Sequence, residues 1–196
     1  MARPRSVRAH REVLDAAANL FAERGIDATS MDAIASASGV SKATIYKHWP
    51  DKDQLALEVM LYIHGLDEDQ PIFDSGDACA DLIAQLSYHP GEDNHEMKSR
   101  LMPHLMAYSM RNQQFGQAWR ERVIERQRFA LKGILERGIK QRQLVKNLDF
   151  DLSIALLVGP MLYWRIFVDR NKAGKLPPDY AEQVVHAFWK AYARKL

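Results

Sequence analysis

Cysteine is nearly absent from this chain of 196 residues: the one present is Cys79. That excludes an intramolecular disulfide framework and a cysteine-based zinc site, and it fits a reducing compartment. Charge of one sign is not in excess either. The formal net charge is +2, so the overall balance does not point to a polyanionic partner. Long apolar runs are missing: the longest, Ile154 to Tyr163, is about half of a membrane span and contains Gly159-Pro160. The start, Met-Ala-Arg-Pro-Arg, lacks the apolar stretch of a signal peptide, and a soluble cytoplasmic protein is expected. There is no glycine-rich phosphate loop, no nucleophile with an evident base, no internal repeat and no convincing alternating strand. No enzyme and no cofactor are expected.

What is present is ordinary globular material, 47% apolar and 27% charged. The charge is unevenly spread. Arg3, Arg5, Arg8 and Arg11 all precede the first acidic residue, Glu12, so the chain opens with a basic arm, either a solvated terminus or a nucleic-acid contact. His89, Glu92, Asp93, His95 and Glu96 cluster about Pro90-Gly91. Their spacing matches no helical histidine pair and the Pro-Gly pair reads as an exposed turn, so no metal site is expected.

The periodicity is helical almost throughout. Val13, Ala16, Ala17, Leu20 and Phe21 stripe one face of a first helix, which Gly25 ends in a left-handed C′ position. Thr29 is placed to cap a second helix carrying Met31, Ile34 and Ala35, which stops near Gly39. Ser41 caps a short third helix, Lys42 to His48, which Pro50 closes. Asp51 caps a fourth, to about Leu66, and a break follows at Asp67 to Pro71. Five further helices are predicted at Asp77–Tyr88, Glu96–Met110 with Pro103 inside, Gln114–Gln141, Phe150–Val168 and Tyr180–Ala193. Phe150–Val168 is apolar nearly all round, the mark of a helix covered on several sides. The expected fold is all-α with about nine helices: a three-helix module over residues 1–52, then a larger bundle over 53–196.

Helices two and three have the parts of a helix-turn-helix. Ile34-Ala35 supplies an anchor and a small contact residue, Gly39 the turn, Val40 the corner plug, and Ile45 and Trp49 the core face. The opposite face of the third helix offers Lys42, Thr44, Tyr46, Lys47 and His48. Seven residues rising ~1.5 Å each make a rod of roughly 10 Å, which suits a major groove ~12 Å wide. Lys42 and Thr44 would approach base edges, and Lys47 and His48 phosphates, with Tyr46 able to do either. Lys52 and Thr29 are placed for further phosphates.

The run from Gly25 to Leu55, with Thr-Ile-Tyr-Lys-His-Trp at its centre and Lys52 and Leu55 after it, resembles the N-terminal domain of TetR-family transcriptional regulators, over residues ~8 to ~60. Trp49 stands where the family commonly has Phe. The resemblance implies a homodimer on a palindromic operator of double-stranded DNA. It implies contacts from Thr29, Ser41, Lys42, Ala43, Thr44, Tyr46, Lys47, His48 and Lys52, and repression as the usual outcome. Under it the basic arm becomes a candidate phosphate or minor-groove contact.

Asp149 to Phe167 looks like the eighth helix of one TetR C-terminal subclass, which pairs with the ninth and their mates across the dimer axis. Gly159, Phe188, Trp189 and Tyr192 are the candidate interface residues, with packing inside one subunit as the alternative. In the family a small-molecule effector enters a cavity among helices four to eight. Met60, His64, Met102, Met106, Phe115, Trp119, Tyr163, Trp164 and Arg165 are candidate lining, though methionines and aromatics at helical spacing also build cores. Arg165, a charge in an apolar helix, needs either an acidic partner or an anionic ligand. Three functions follow: a repressor released by an effector, a TetR-like DNA-binding protein without a small ligand that is controlled by a protein partner or acts architecturally, and a helical enzyme carrying a DNA-binding module. A cavity with convergent polar groups favours the first, a collapsed core the second, and a buried cluster of titratable groups the third.

Overall fold

The computed structural model describes residues 5–66, 70–88, 95–168 and 176–194. Nine helices form among them: α1 (Arg5–Arg24), α2 (Met31–Ser38), α3 (Lys42–His48), α4 (Lys52–Ile63), α5 (Ala78–Ser87), α6 (His95–Arg111), α7, α8 and α9 (Tyr180–Tyr192). α7 runs Gln113–Trp119, takes a π-helical turn over Arg120–Ile124, and continues as Glu125–Lys140. α8 runs Phe150–Tyr163 and ends in a second π turn, Trp164–Val168. The described residues contain no strand, only an isolated bridge between Leu144 and Ala193.

Short polar side chains start these helices, Ser41 and Asp51 as expected and Asp77 and Asp149 in addition. Each accepts a backbone N–H from the first turn of the helix that follows. One cap moves by a residue. Ser30, not Thr29, caps α2, its hydroxyl accepting the Ala33 N–H at 3.1 Å. Thr29 is 2% exposed and donates its hydroxyl to the Gly25 carbonyl at 2.8 Å. Gly25 (φ 81°) and Gly39 (φ 69°) take the left-handed conformation that ends α1 and α2. α6 and α8 run through Pro103 and Pro160 without ending.

The chain divides into two units, residues 1–68 with 90–122, and residues 69–89 with 123–196. The first takes in more than the first fifty residues, because α4 and α6 pack with α1 and the start of α7 packs with α4 and α6. Its core holds Phe21, Ile26, Ile34, Ile45, Trp49, Leu55, Met60, Leu101, Leu105 and Phe115. The buried stripe of α1 is shifted from its sequence pattern: Val13, Ala17 and Phe21 are joined by Leu14, Ala18 and Ala22, whereas Ala16 and Leu20 are half-buried. α7 meets α6 closely enough that a Cβ built on Gly116 would lie 2.5 Å from the Ser109 carbonyl oxygen.

In the second unit Leu82, Leu131, Leu135, Leu144, Leu157, Val185 and Phe188 form the core, drawn from α5, α7, α8, α9 and the turn after α7. Phe73 to Asp77 is tied down by buried Asp81, which accepts the Ser75 hydroxyl at 2.7 Å, and by Arg137, which pairs with Asp74 at 3.1 Å. By length and composition Phe150–Val168 suffices to cross a bilayer. Its core side, Ser153, Ile154, Leu157 and Met161, is nonetheless built into this unit. Its other side is open among the described residues: Leu152, Leu156, Leu162, Tyr163, Phe167 and Val168 are exposed.

Gly116→Ala is expected to lower stability to urea by about 2 kcal/mol, because the methyl meets backbone that cannot move aside locally. Equilibrium denaturation of the two chains checks this.

Candidate nucleic-acid interface

α3 is shaped by what it buries. Ile45 is 1% exposed and Trp49 2%, whereas Ser41, Lys42, Ala43, Thr44, Tyr46, Lys47 and His48 are all exposed. One side of a seven-residue helix is thus committed to the core and the rest is delivered to solvent. Ser41 accepts the Thr44 N–H at 3.3 Å, and its hydroxyl lies 2.9 Å from that of Thr44. Trp49 leaves the helix in an extended conformation (φ −127°, ψ 95°), as Pro50 requires. Lys42 pairs with Asp32 of α2 at 2.6 Å. An exposed pair of this kind contributes little, so exchanging it for DNA costs little.

Two expected contacts are already engaged inside the protein. The Thr29 hydroxyl faces inward, as described above. Lys52 donates to the Asp27 and Thr29 carbonyls, each at 3.1 Å, leaving one of its three N–H groups. Of the basic arm, Arg8 pairs with Glu12 at 2.8 Å and Arg11 sits 5.7 Å over the Tyr62 ring. Arg3 and the Arg5 side chain lie outside the described residues, as do His89 to Asn94; among the described residues no group of three potential metal ligands forms.

Sequence reasoning missed the polar links beneath the reader. Asp53, in the first turn of α4, accepts the Tyr108 hydroxyl at 2.5 Å and the Asn112 amide at 2.9 Å. Arg111 pairs with Asp27 at 2.6 Å. Burial, then the bond to Asp53, pushes the Tyr108 hydroxyl up to about 12, so it stays a donor. The missed signal was an Asp directly after the expected phosphate lysine. A second missed cluster joins His10, Trp49 and Glu58.

The other expected sites divide between the two units. In the first, Met60, Phe115 and Trp119 are buried, Phe115 standing edge-to-face on both Tyr108 and Trp119. His64, Met102 and Met106 are half-buried. In the second, Tyr163 is exposed and Trp164 stacks on Tyr180. Arg165 is half-buried, and desolvation lowers its guanidinium pKa from the ordinary arginine value. Of the interface candidates, Phe188 is 4% exposed and belongs to its own unit's core, Trp189 and Tyr192 pack partly against that core, and a Cβ on Gly159 would meet open space. An open groove of about 260 Å³, which the sequence did not suggest, is lined by Ile72, Phe73, Phe129, Ile134, Gln85 and Arg126 among others.

A family model described as bacterial regulatory proteins of the tetR family matches residues 13–59, and a tetracyclin repressor-like C-terminal domain matches residues 72–188. The chain belongs to the TetR family. It is 32% identical to the HTH-type transcriptional regulator YdeS of Bacillus subtilis over 82% of this chain and 80% of that one. It is 28% identical to the HTH-type transcriptional repressor KstR2 of Rhodococcus jostii, over 74% and 72%. The flavonoid-responsive regulator FrrA shares the fold, with a TM-score of 0.65 at 24% identity, covering 97% of this chain and 100% of that one. As a TetR-family member the chain is a DNA-binding transcriptional regulator with an N-terminal helix-turn-helix and a C-terminal helical domain.

Tyr108→Phe removes a buried bond to a carboxylate and is expected to lower stability by about 2 kcal/mol. Urea denaturation that leaves the midpoint unmoved contradicts the role given to Asp53.

Proposed function

We propose that this TetR-family regulator is a cytoplasmic repressor that binds a palindromic operator as a homodimer and is released by a small-molecule effector. The observation that carries the reading is the division of α3 into a buried pair, Ile45 and Trp49, and an exposed polar face. In this reading Lys42 and Thr44, nearest the helix N-terminus, meet base edges, and Lys47 and His48 meet phosphates at the groove wall. Tyr46 serves either role, and Ser41 and Ala43 line the approach. Lys52 offers its remaining N–H to a phosphate, while Thr29 supports the head of α2 from within.

Dimerisation is supported by the open side of α8. Leu152, Leu156, Gly159 and Tyr163 recur at i, i+4, i+7 and i+11 and are all exposed. A run of large apolar side chains around a glycine suits a second helix approaching closely, with Trp189 and Tyr192 of α9 at its margin. The groove lined by Ile72, Phe73 and Phe129 supports an effector held by the second unit, since apolar walls with a few polar groups are what such sites require. Within the second unit Trp164 and Arg165 keep some access and remain candidate lining; within the first, His64, Met102 and Met106 are half-buried and Met60, Phe115 and Trp119 serve as core.

The test of the reader uses duplexes recovered by the wild-type chain from a random-sequence pool. Lys47→Ala is expected to weaken binding to every duplex and to reduce the salt slope by about 1, whereas Thr44→Ala is expected to change the preferred base at one position. Unchanged affinity and preference in both variants contradict the assignment. For the dimer, Leu156→Glu is expected to sediment as a monomer at concentrations where the wild type sediments as a dimer; a monomeric wild type contradicts it.

A further inference from the structure

The carboxylate of Glu58 joins three helices of the first unit. From α4 its Oε1 accepts His10 Nε2 of α1 at 2.6 Å, and its Oε2 accepts the Trp49 indole Nε1 at 2.6 Å. Trp49 is the C-cap of α3 and is buried, and an indole N–H can only donate, so it needs an acceptor there. The His10 ring lies on the indole, centroids 4.6 Å apart and tilted 33°, and the His48 ring stands 5.6 Å from each. His48 and Lys47 are the last residues of α3 and both are exposed. A phenylalanine at position 49 would fill most of that space without reaching Glu58.

We propose that Glu58 is a positioning residue for DNA reading: by holding Trp49 and His10 together it sets the orientation of the C-terminal end of α3, and with it where Lys47 and His48 meet the phosphates. The proposal rests on α3 being the reader. Glu58 itself touches no DNA. Its effect is on specific binding, because a duplex read in register depends on the angle of the helix, whereas loose attraction to phosphates depends on the number of cations.

The test compares a duplex recovered by the wild-type chain from a random-sequence pool with a mixed-sequence duplex. Trp49→Phe is expected to weaken binding to the recovered duplex about tenfold and to change binding to the mixed one by less than about twofold. Glu58→Ala is expected to match it, and the double variant to be no weaker than either single one. Glu58→Gln is expected to stay within about threefold of the wild type, because its amide oxygen accepts from Trp49 and its NH2 donates to the other tautomer of His10. If Glu58→Ala fails to fold, Trp49→Phe and the near-isosteric Glu58→Gln decide the matter. Full affinity in Trp49→Phe, equal losses on both duplexes, additive losses in the double variant, or a tenfold loss in Glu58→Gln overturns the proposal and leaves the reader intact. A wild type that recovers no duplex overturns the reader and the proposal together.

Discussion

Whatever the first unit presents to DNA depends on the burial of two side chains, Ile45 and Trp49. α3 has seven residues, well below the ~12–15 at which an isolated helix becomes even marginal in water. Its cap contributes about 1 kcal/mol. Burying a large apolar side chain contributes about 1.5–3 kcal/mol each, so packing, not propensity, holds the helix. Because the two anchors lie four residues apart on one face, they also fix its rotation. The polar face is a by-product of that constraint: every α3 residue that is not an anchor is exposed.

The floor under α3 extends beyond the three helices of the motif. Asp53 at the head of α4 is held by Tyr108 and Asn112, and Asp27 in the α1–α2 turn by Arg111. These partners lie at the end of α6 and just after it, about fifty to eighty residues further along the chain. Lys52 closes the same region by bonding the carbonyls of Asp27 and Thr29. The turn before α2 and the turn before α4 are thus set by one connected group of polar side chains, and α6 shares in placing the reader.

Much of this was legible in the sequence because caps and turn glycines act locally. Ser41, Asp51, Gly25 and Gly39 each mark an element boundary by a bond or a dihedral that involves only near neighbours. The choice between Thr29 and Ser30 was not legible. Both are good caps, and the decision falls to the burial of Thr29 in the fold, which turns its hydroxyl to the Gly25 carbonyl four residues back. The bonds Tyr108–Asp53 and Trp49–Glu58 were hidden for the same reason, one spanning helices far apart in sequence and the other closing two elements on each other. For α8 the sequence shows an apolar helix that calls for cover on every side, but not whether that cover comes from its own chain; among the described residues Leu152, Leu156 and Tyr163 stay exposed.

The claim on which the account turns is that two copies of α3 read adjacent major grooves. Hydroxyl-radical footprinting of the wild-type chain on a duplex it has itself selected, with methylation interference at guanine N7, tests it directly. Two half-sites related by a dyad are predicted, their centres one helical turn of about 10 base pairs or a multiple apart, with N7 methylation blocking binding inside each. A single protected tract without a dyad, or N7 methylation that leaves binding unaffected throughout the protected tract, would contradict it.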